Sequence, residues 1–226
     1  MRITAETKIA ALILITIMLP LRAAYADSLA QPQMADTRAG AKEGQMTEAE
    51  RQYLDSELRT TESAFLASIK GLTPAQWTFK AAPDRWSIQE CAEHIILAED
   101  LIMADAKRIL TTPAVPRLAV ANPEGDRELV KMVLDRSVKA KTSEPMTPSG
   151  RFATPDDAAA EFSKRRSATI EYAENTNDAL RSHVGDGVVG KGNDSYRVLL
   201  VLAAHTGRHT AQILEVKASP GYPAGN

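Results

Sequence analysis

Apolar residues recur every three or four positions in four long stretches of the chain, the spacing of one face of an α-helix. These stretches are Thr47–Ile69, Ser87–Leu110, Asp156–Leu180 and Asp194–Ala218. In the first, the repeated face consists of Leu54, Leu58, Thr61, Phe65 and Ile69. The last stretch is the most apolar, and no segment shows the alternation typical of strands. The pattern therefore predicts an all-α fold, a four-helix bundle with long connections.

Capping signals mark the start of two of these helices. The capping-box pattern Ser/Thr-x-x-Glu occurs at Thr47–Glu50 and at Ser87–Glu90. In this pattern the side chain of each of the two residues accepts a hydrogen bond from the backbone N–H of the other at a helix N-terminus. A short extra helix is predicted over Arg127–Lys139, where apolar residues again recur at helical spacing.

The connections between the helices are rich in proline. Thr111–Asp126 and Lys141–Pro155 contain several prolines each, which predicts loops. Leu72–Arg85 is predicted to be an ordered connector that packs Trp77 and Phe79 against the bundle.

A glycine-rich segment before the last helix superficially matches nucleotide-binding motifs. Gly185–Gly190 fits the spacing of a dinucleotide fingerprint, and Gly185–Lys191 nearly fits a phosphate loop. Position 192 is glycine where a phosphate loop needs Ser or Thr, and no strand precedes the match to begin a βαβ unit. We therefore interpret the segment as a flexible loop.

The N-terminus has the three-part layout of a secretory signal peptide. A basic start precedes the apolar run Ile9–Leu21, and Ala24 and Ala26 supply a cleavage signal. The run is too short to span a bilayer, which needs about 20 residues of helix. Residues 1–26 are thus predicted to be removed, giving a periplasmic or secreted protein without an integral membrane segment. An uncleaved N-terminal anchor is the alternative.

After cleavage, the sequence divides into three parts. Residues 27–46 are polar and aperiodic, which predicts a flexible lead-in. Residues 47–218 form the helical domain, and residues 219–226 form a tail.

Composition narrows the function classes. Of 226 residues, 44% are hydrophobic and 25% charged, as in ordinary globular proteins, and the net charge of −2 argues against a nucleic-acid partner. A single cysteine cannot form an intramolecular disulfide or a cysteine-rich zinc module.

The candidate chemistry lies in the histidines. His205 and His209 are four residues apart on the last helix, so both rings project from one face and can reach one metal ion. His94 lies on the second helix, and a bundle in which these helices face each other would bring the three rings together. Three neutral imidazoles suit zinc first, with nickel, iron or manganese as alternatives, and leave a position open for water or substrate. A coincidental histidine pair and a packed His94 are the alternative interpretation.

Nearby residues have two interpretations each. Glu90 and Gln212 could orient the rings of His94 and His209, and Arg208 could meet an anionic substrate. The alternatives are a capping role for Glu90, an ordinary hydrogen bond for Gln212 and an ion pair for Arg208.

Other polar or reactive residues are expected to be outside the site. Cys91 is predicted to be a small core residue, and His183 to reach only the rim of the pocket. Glu93 and Glu99 are predicted to be solvated. Trp77 and Trp86 are predicted to be packing anchors.

Two motifs together resemble the DinB/YfiT-like superfamily. They are Trp86–His94, which reads W-S-x-x-E-x-x-x-H, and His205–Ile213, which reads H-x-x-R-H-x-x-Q-I. Residues 135–137 and 181–183 also resemble small bacterial members, and the resemblance spans residues 47–217. It implies a four-helix bundle whose divalent metal is held by His94, His205 and His209. Several relatives resemble thiol-dependent transferases or isomerases, and many have no assigned activity.

Two features depart from the family pattern. Gly207, between the two histidines, stands where the family more often has a larger polar residue, and we expect it to make room for a ligand or a neighbouring helix. Export also argues against a thiol co-substrate, because low-molecular-weight thiols are mostly intracellular.

These observations predict an exported metal-dependent enzyme acting on a small molecule, by transfer to a thiol or by hydrolysis. A non-catalytic metal- or ligand-binding bundle and a purely structural protein are the alternatives. A homodimer is compatible with the resemblance, since related bundles often pair through helix faces.

Overall fold

Four long helices dominate the computed structural model, which describes residues 43–115, 122–137, 142 and 144–225. The signal peptide predicted over residues 1–26 lies outside the described residues. The helices are α1 (Glu48–Ile69), α2 (Pro74–Thr78), α3 (Ile88–Ile109), α4 (Pro123–Leu134), α5 (Pro155–Asn175) and α6 (Ser195–Lys217). A 3-10 turn at Glu144–Met146 precedes α5, and two short antiparallel strands, β1 (Val184–Gly187) and β2 (Gly190–Asp194), precede α6.

Both predicted capping boxes are present. The Thr47 side chain accepts from the backbone N–H of Glu50, and Ser87 accepts from that of Glu90, while each glutamate bonds back to the cap. A third box, at Thr73, begins α2 within the predicted connector. These local bonds fix where α1 and α3 begin, and therefore which turn of α3 carries His94.

Polar contacts between helix ends show how the long helices run. Ser195 at the start of α6 donates to the carbonyl of Ala106 near the end of α3. Tyr196 donates to the carbonyl of Glu50 at the start of α1, and Arg51 donates to that of Ala173 near the end of α5. Thus α1 and α6 run in one direction and α3 and α5 in the other, which places the N-terminal half of α3 beside the C-terminal half of α6.

The centre of the bundle contains a buried ion pair. Arg166 of α5 is 0% exposed and donates to Glu99 of α3. It also donates to the carbonyl of Leu58 at 2.9 Å and to the hydroxyls of Thr61 and Thr206 at 3.0 and 2.8 Å. A single guanidinium therefore joins all four long helices.

The prediction that Glu93 and Glu99 are solvated is wrong. Their side chains are 0% and 2% exposed. Arg166 compensates the charge of Glu99, and backbone N–H groups of residues 149–151 compensate that of Glu93. A buried carboxylate needs such partners, and they come from segments distant in sequence.

Three other boundaries differ from the sequence prediction. The extra helix spans Pro123–Leu134 instead of Arg127–Lys139, with the Asn122 side chain as its cap. The helix predicted to reach Leu180 ends at Asn175, where Thr176 takes an extended conformation. The predicted flexible loop at Gly185–Gly190 belongs to the β1–β2 hairpin, in which Val188 donates to the buried Asp105 carboxylate at 3.0 Å.

The ends of the domain are packed against it. Met46, in the segment predicted as a flexible lead-in, is 4% exposed, and the carbonyl of Gly44 accepts from Arg181. In the tail, the Tyr222 ring lies edge-on to Phe79 with centroids 5.5 Å apart.

Within the described residues, no helix has both the length and the apolar character needed to cross a bilayer.

Candidate metal centre

Three histidines meet where the N-terminal half of α3 packs against α6. His94 lies in the second turn of α3, and His205 and His209 lie one turn apart on α6. The ring centroids are 4.9 Å apart for His94 and His205, 4.4 Å for His94 and His209, and 4.5 Å for His205 and His209. One ring nitrogen from each lies within 4.8 Å of the other two, so the three could hold a metal ion.

Hydrogen bonds orient two of the rings. Nδ1 of His94 lies 2.8 Å from the carbonyl of Met146, and Nδ1 of His209 lies 2.9 Å from Oε1 of Gln212. Because both partners are acceptors, each Nδ1 carries the proton and each Nε2 is left as the ligand atom.

The nitrogen spacing fits a shared ion. Nε2 of His94 lies 3.1 Å from Nε2 of His205. Two imidazole nitrogens on a tetrahedral zinc ion are about 3.3 Å apart, since each Zn–N bond is about 2.0–2.1 Å. Little movement of these two rings is needed to bind one ion.

The environment keeps the rings neutral. Burial lowers the pKa of all three histidines, well below the usual value for His205 and to about 3 for His209. The neighbouring histidine rings lower the pKa of His205 and His209 further. Neutral imidazole is the form that binds metal, so the site needs no proton release near pH 7.

The Trp86 ring lies beside the histidine rings. Its ring centroid lies 4.9 Å from that of His94 and 6.1 Å from that of His209. The packing-anchor interpretation holds for Trp77, which is 0% exposed and donates to the carbonyl of Phe152 at 3.1 Å. It holds for Trp86 too, which packs against the same apolar core, and its ring lies beside the histidines as well.

The three supporting residues have different surroundings. Gln212 contacts His209 as given above. Glu90 caps α3 through the backbone N–H of Ser87 at 2.8 Å and pairs with Lys80 at 2.9 Å, so its carboxylate serves the helix terminus. Arg208 donates to the carbonyls of Val133 and Asp135 at the end of α4.

Two of the site contacts that escaped sequence reasoning show why it missed them. One is the Met146 carbonyl, since any residue supplies that group and the sequence carries no signal for it. The other is Arg136, which donates to Oε1 of Gln212 at 3.3 Å while its Nε and Nη2 bind Glu215 at 2.6 and 2.8 Å. The only sequence signal for Arg136 is its place in the family-like segment of residues 135–137.

Cys91 and His183 lie outside the cluster. Cys91 is 0% exposed, and burial raises the pKa of its thiol to about 12, which confirms a core role. His183 does not approach the rim: its Nδ1 lies 2.7 Å from the carbonyl of Thr112, beyond the far end of α3. That end is roughly 20 Å from His94, at 1.5 Å per helical residue.

Gly207 makes room for a helix. A Cβ at this position would lie 2.9 Å from Cδ2 of Leu134 on α4 and 3.3 Å from Cγ2 of Thr61 on α1. Of the two expected reasons for this glycine, the structure supports close packing against a neighbouring helix.

Comparison with known families agrees with this architecture. A model of the DinB superfamily matches residues 57–213, which include both sequence motifs and all three clustered histidines. No curated protein and no solved structure matches the chain significantly.

Proposed function

The chain belongs to the DinB superfamily, and from this premise we propose that it binds one divalent metal ion through His94, His205 and His209 and transforms a small molecule there. The observation that carries the proposal is the approach of three neutral imidazole nitrogens to within 4.8 Å of one another. Zinc is the first candidate, with nickel, iron and manganese next, because nitrogen donors of this kind suit all four.

The donor set favours catalysis over a purely structural metal. Structural zinc sites commonly have four protein ligands, whereas three protein ligands are typical of catalytic sites that accept water or substrate. A bound divalent ion would act as a Lewis acid and lower the pKa of a water or thiol that reaches it.

The protein's own groups prepare the site. Met146 and Gln212 hold the rings in the tautomer that presents Nε2. Arg136 donates to the same Gln212 oxygen, which restricts the amide to the orientation that His209 needs. The Trp86 ring packs beside that of His94. Such outer contacts typically change metal affinity 10–100-fold when removed.

Two reaction classes fit the centre: transfer of a group to a thiol, and hydrolysis. Export would favour hydrolysis, because low-molecular-weight thiols are mostly intracellular.

We propose export from the N-terminal pattern, with cleavage near Ala26. Expression of the full chain in a bacterial host, followed by intact mass measurement of the periplasmic fraction, tests it. Loss of residues 1–26 is expected, and an uncleaved cytoplasmic product would contradict it.

A non-catalytic metal-binding bundle is the second candidate. It is favoured by the positions of the carboxylates next to His94 in sequence. Glu90 is engaged in the α3 cap, and Glu93 points to residues 149–151, so neither faces the rings as a general base.

A homodimer through helix faces remains a prediction. Met132 on α4 and Leu214 on α6 support it, since these apolar side chains are 70% and 54% exposed. Light scattering of the purified chain tests it.

Metal content tests the proposal directly. Untagged protein is purified as the parent, as His205→Ala/His209→Ala and as His183→Ala, and each is analysed by elemental mass spectrometry. His183 is the matched control because it lies outside the cluster. We expect about one metal per chain in the parent and the control, and none in the double variant. A parent that cannot be loaded with zinc, nickel, iron or manganese would contradict metal binding.

Turnover separates the two candidates. Metal-loaded parent is compared with chelator-treated parent on electrophiles with added thiol, and on activated esters and amides. Turnover that follows metal content supports the enzyme. Stoichiometric metal without turnover across both panels favours the binding protein.

A further inference from the structure

Glu93 is a buried carboxylate whose oxygens bind the segment that precedes α5. Its side chain is 0% exposed. Oε1 accepts from the backbone N–H and the hydroxyl of Ser149 at 2.9 and 3.0 Å, and Oε2 accepts from the N–H of Gly150 at 2.7 Å and of Arg151 at 2.9 Å. Four hydrogen-bond donors thus converge on one carboxylate, and Nε of Arg151 lies 3.4 Å from Oε1.

The backbone at residues 149–151 is shaped to receive this anion. Gly150 has φ of 84°, a left-handed conformation that glycine adopts without strain. Successive N–H groups around such a residue can form a concave anion site, known as a nest. Burying a carboxylate is costly without such donors, so Glu93 and the segment depend on each other.

The same segment also holds His94. Met146, three residues before Ser149, accepts the Nδ1 proton of His94 at 2.8 Å, and the hydroxyl of Thr142 lies 3.4 Å from that nitrogen. Residues 93 and 94 of α3 therefore contact one segment at two points. Farther along, the carbonyl of Phe152 accepts from Gln89 at 2.8 Å.

We propose that Glu93 is a positioning residue of the metal centre: it holds residues 149–151 so that the Met146 carbonyl fixes the His94 ring with Nε2 toward the other two histidines. Glu93 acts through this segment, because its oxygens bind the backbone N–H groups and side chains of residues 149–151 and not the rings. The expected effect on metal affinity rests on the proposed function, whereas the positioning of His94 by Glu93 rests on the hydrogen bonds alone.

The structure offers a matched control on the same helix. Asp105 of α3 is 6% exposed and likewise accepts a backbone N–H from a connecting segment, that of Val188 at 3.0 Å. It lies eleven residues from His94, or about 16 Å along the helix. Asp105 also pairs with Arg108 of the same helix. Asp105→Asn therefore weakens a buried carboxylate contact with a connecting segment far from the histidines.

The experiment compares Glu93→Gln, Asp105→Asn and the parent. The glutamine keeps the size of the side chain but places an NH₂ group against backbone donors. Zinc affinity is measured by competition with a chelating dye, and the His94 Nδ1–H resonance is observed in metal-free protein by ¹⁵N NMR. We expect Glu93→Gln to bind zinc 10–100-fold more weakly and to lose the slowly exchanging N–H signal. Asp105→Asn is expected to stay within about 2-fold of the parent, since its clamp does not touch Met146.

Two results would overturn the proposal. One is Glu93→Gln with parental zinc affinity and an unchanged His94 signal. The other is an equal loss in Asp105→Asn, which would show a general effect of loosening α3.

If Glu93→Gln does not fold, Gly150→Ala serves as the second variant. Its Cβ would meet nothing within 4 Å, so it disturbs only the left-handed backbone. A zinc affinity several-fold below that of the parent is expected, and a parental affinity would contradict the proposal. A parent that binds no zinc refutes the proposed function instead, while the metal-free NMR comparison still tests whether Glu93 orients His94.

Discussion

Two buried polar clusters lie at different levels of α6, one at its N-terminus and one from its middle onward, and they differ in how their polar groups are paired. The arginine cluster consists of Arg181, Glu50, Asp126 and Asp194, and the histidine cluster of His94, His205 and His209. Arg181 is 3% exposed and binds Glu50 at 2.6 and 2.9 Å and Asp194 at 3.0 Å, with Asp126 also in contact. Donors and acceptors there come from complementary groups within the protein.

The histidine cluster brings like groups together. Nε2 of His94 and of His205 face each other at 3.1 Å, and both rings are neutral. Two such nitrogens can share one proton or one cation, but they do not complement each other as Arg181 complements its carboxylates. The comparison teaches that burial of polar residues alone does not mark a site. A site is marked instead by several ligand atoms of the same kind that converge on one point, with hydrogen bonds from neighbouring residues fixing the orientation of two of the rings.

The largest expected effect comes from breaking the arginine cluster. Arg181→Met leaves the buried carboxylates of Glu50 and Asp194 without their cation and Asp126 with only Arg197, whose Nε lies 3.5 Å away. It should lower the free energy of unfolding by about 3–5 kcal/mol. Urea unfolding followed by circular dichroism measures this. Zinc stoichiometry of the folded fraction should be that of the parent. A variant with parental stability that no longer binds zinc would contradict this account, because Arg181 would then serve the metal site and not the stability of the fold.

Zinc should stabilise the histidine cluster by mass action. At a free zinc concentration of about 100 times Kd, the parent should gain about 2.7 kcal/mol in unfolding free energy. His94→Ala/His205→Ala/His209→Ala should gain nothing, because the ligands are gone. Urea unfolding at fixed free zinc checks both proteins. An equal gain in the variant would place the ion elsewhere.

The clusters should also respond differently to acid. Burial holds the pKa of His209 at about 3 in the folded chain, below the unfolded value of about 6.5. The unfolded state therefore binds the proton first, and this stability contribution is present above pH 6.5 and lost as pH falls toward 3.

For His209 alone, the loss between pH 7 and 5.5 amounts to about 1 kcal/mol. Unfolding of metal-free parent across this range should therefore show a steeper pH dependence than unfolding of His209→Gln. Parallel curves would contradict a buried neutral ring.

The smallest effect is expected at Gly207. Alanine favours a helix by about 1 kcal/mol over glycine, but its Cβ would press on Leu134. Leu134 is 41% exposed and can turn aside, so Gly207→Ala should be stabilising by less than about 1 kcal/mol. Zinc affinity should not change. A marked loss of zinc affinity would show that this glycine makes room for the ligand after all.

Local sequence signals were sufficient for much of the fold. The predicted last helix agrees with α6 because Asp194 caps it and apolar residues continue to Val216. The box at Ser87 placed His94 in the second turn of α3 for the same local reason. The spacing of His205 and His209 showed that they share a face. That His94 faces them came from the family resemblance, since helix pairing depends on the whole bundle.

What the sequence missed depends on contacts between distant segments. Glu93 and Glu99 look like solvated helix residues until residues 149–151 and Arg166 are in place. The β1–β2 hairpin contains glycine and polar residues without alternation, and its link to Asp105 is tertiary. Charge and periodicity describe one segment at a time, so they do not reveal such partners.

The central claim is that one ion binds to three histidine nitrogens, and X-ray absorption of the zinc-loaded chain tests it most directly. The proposed ligand set predicts a shell of nitrogen or oxygen at about 2.0–2.1 Å, with multiple scattering from three imidazoles and no sulfur at about 2.3 Å. A spectrum with sulfur, or with oxygen ligands and no imidazole signal, would contradict binding at His94, His205 and His209.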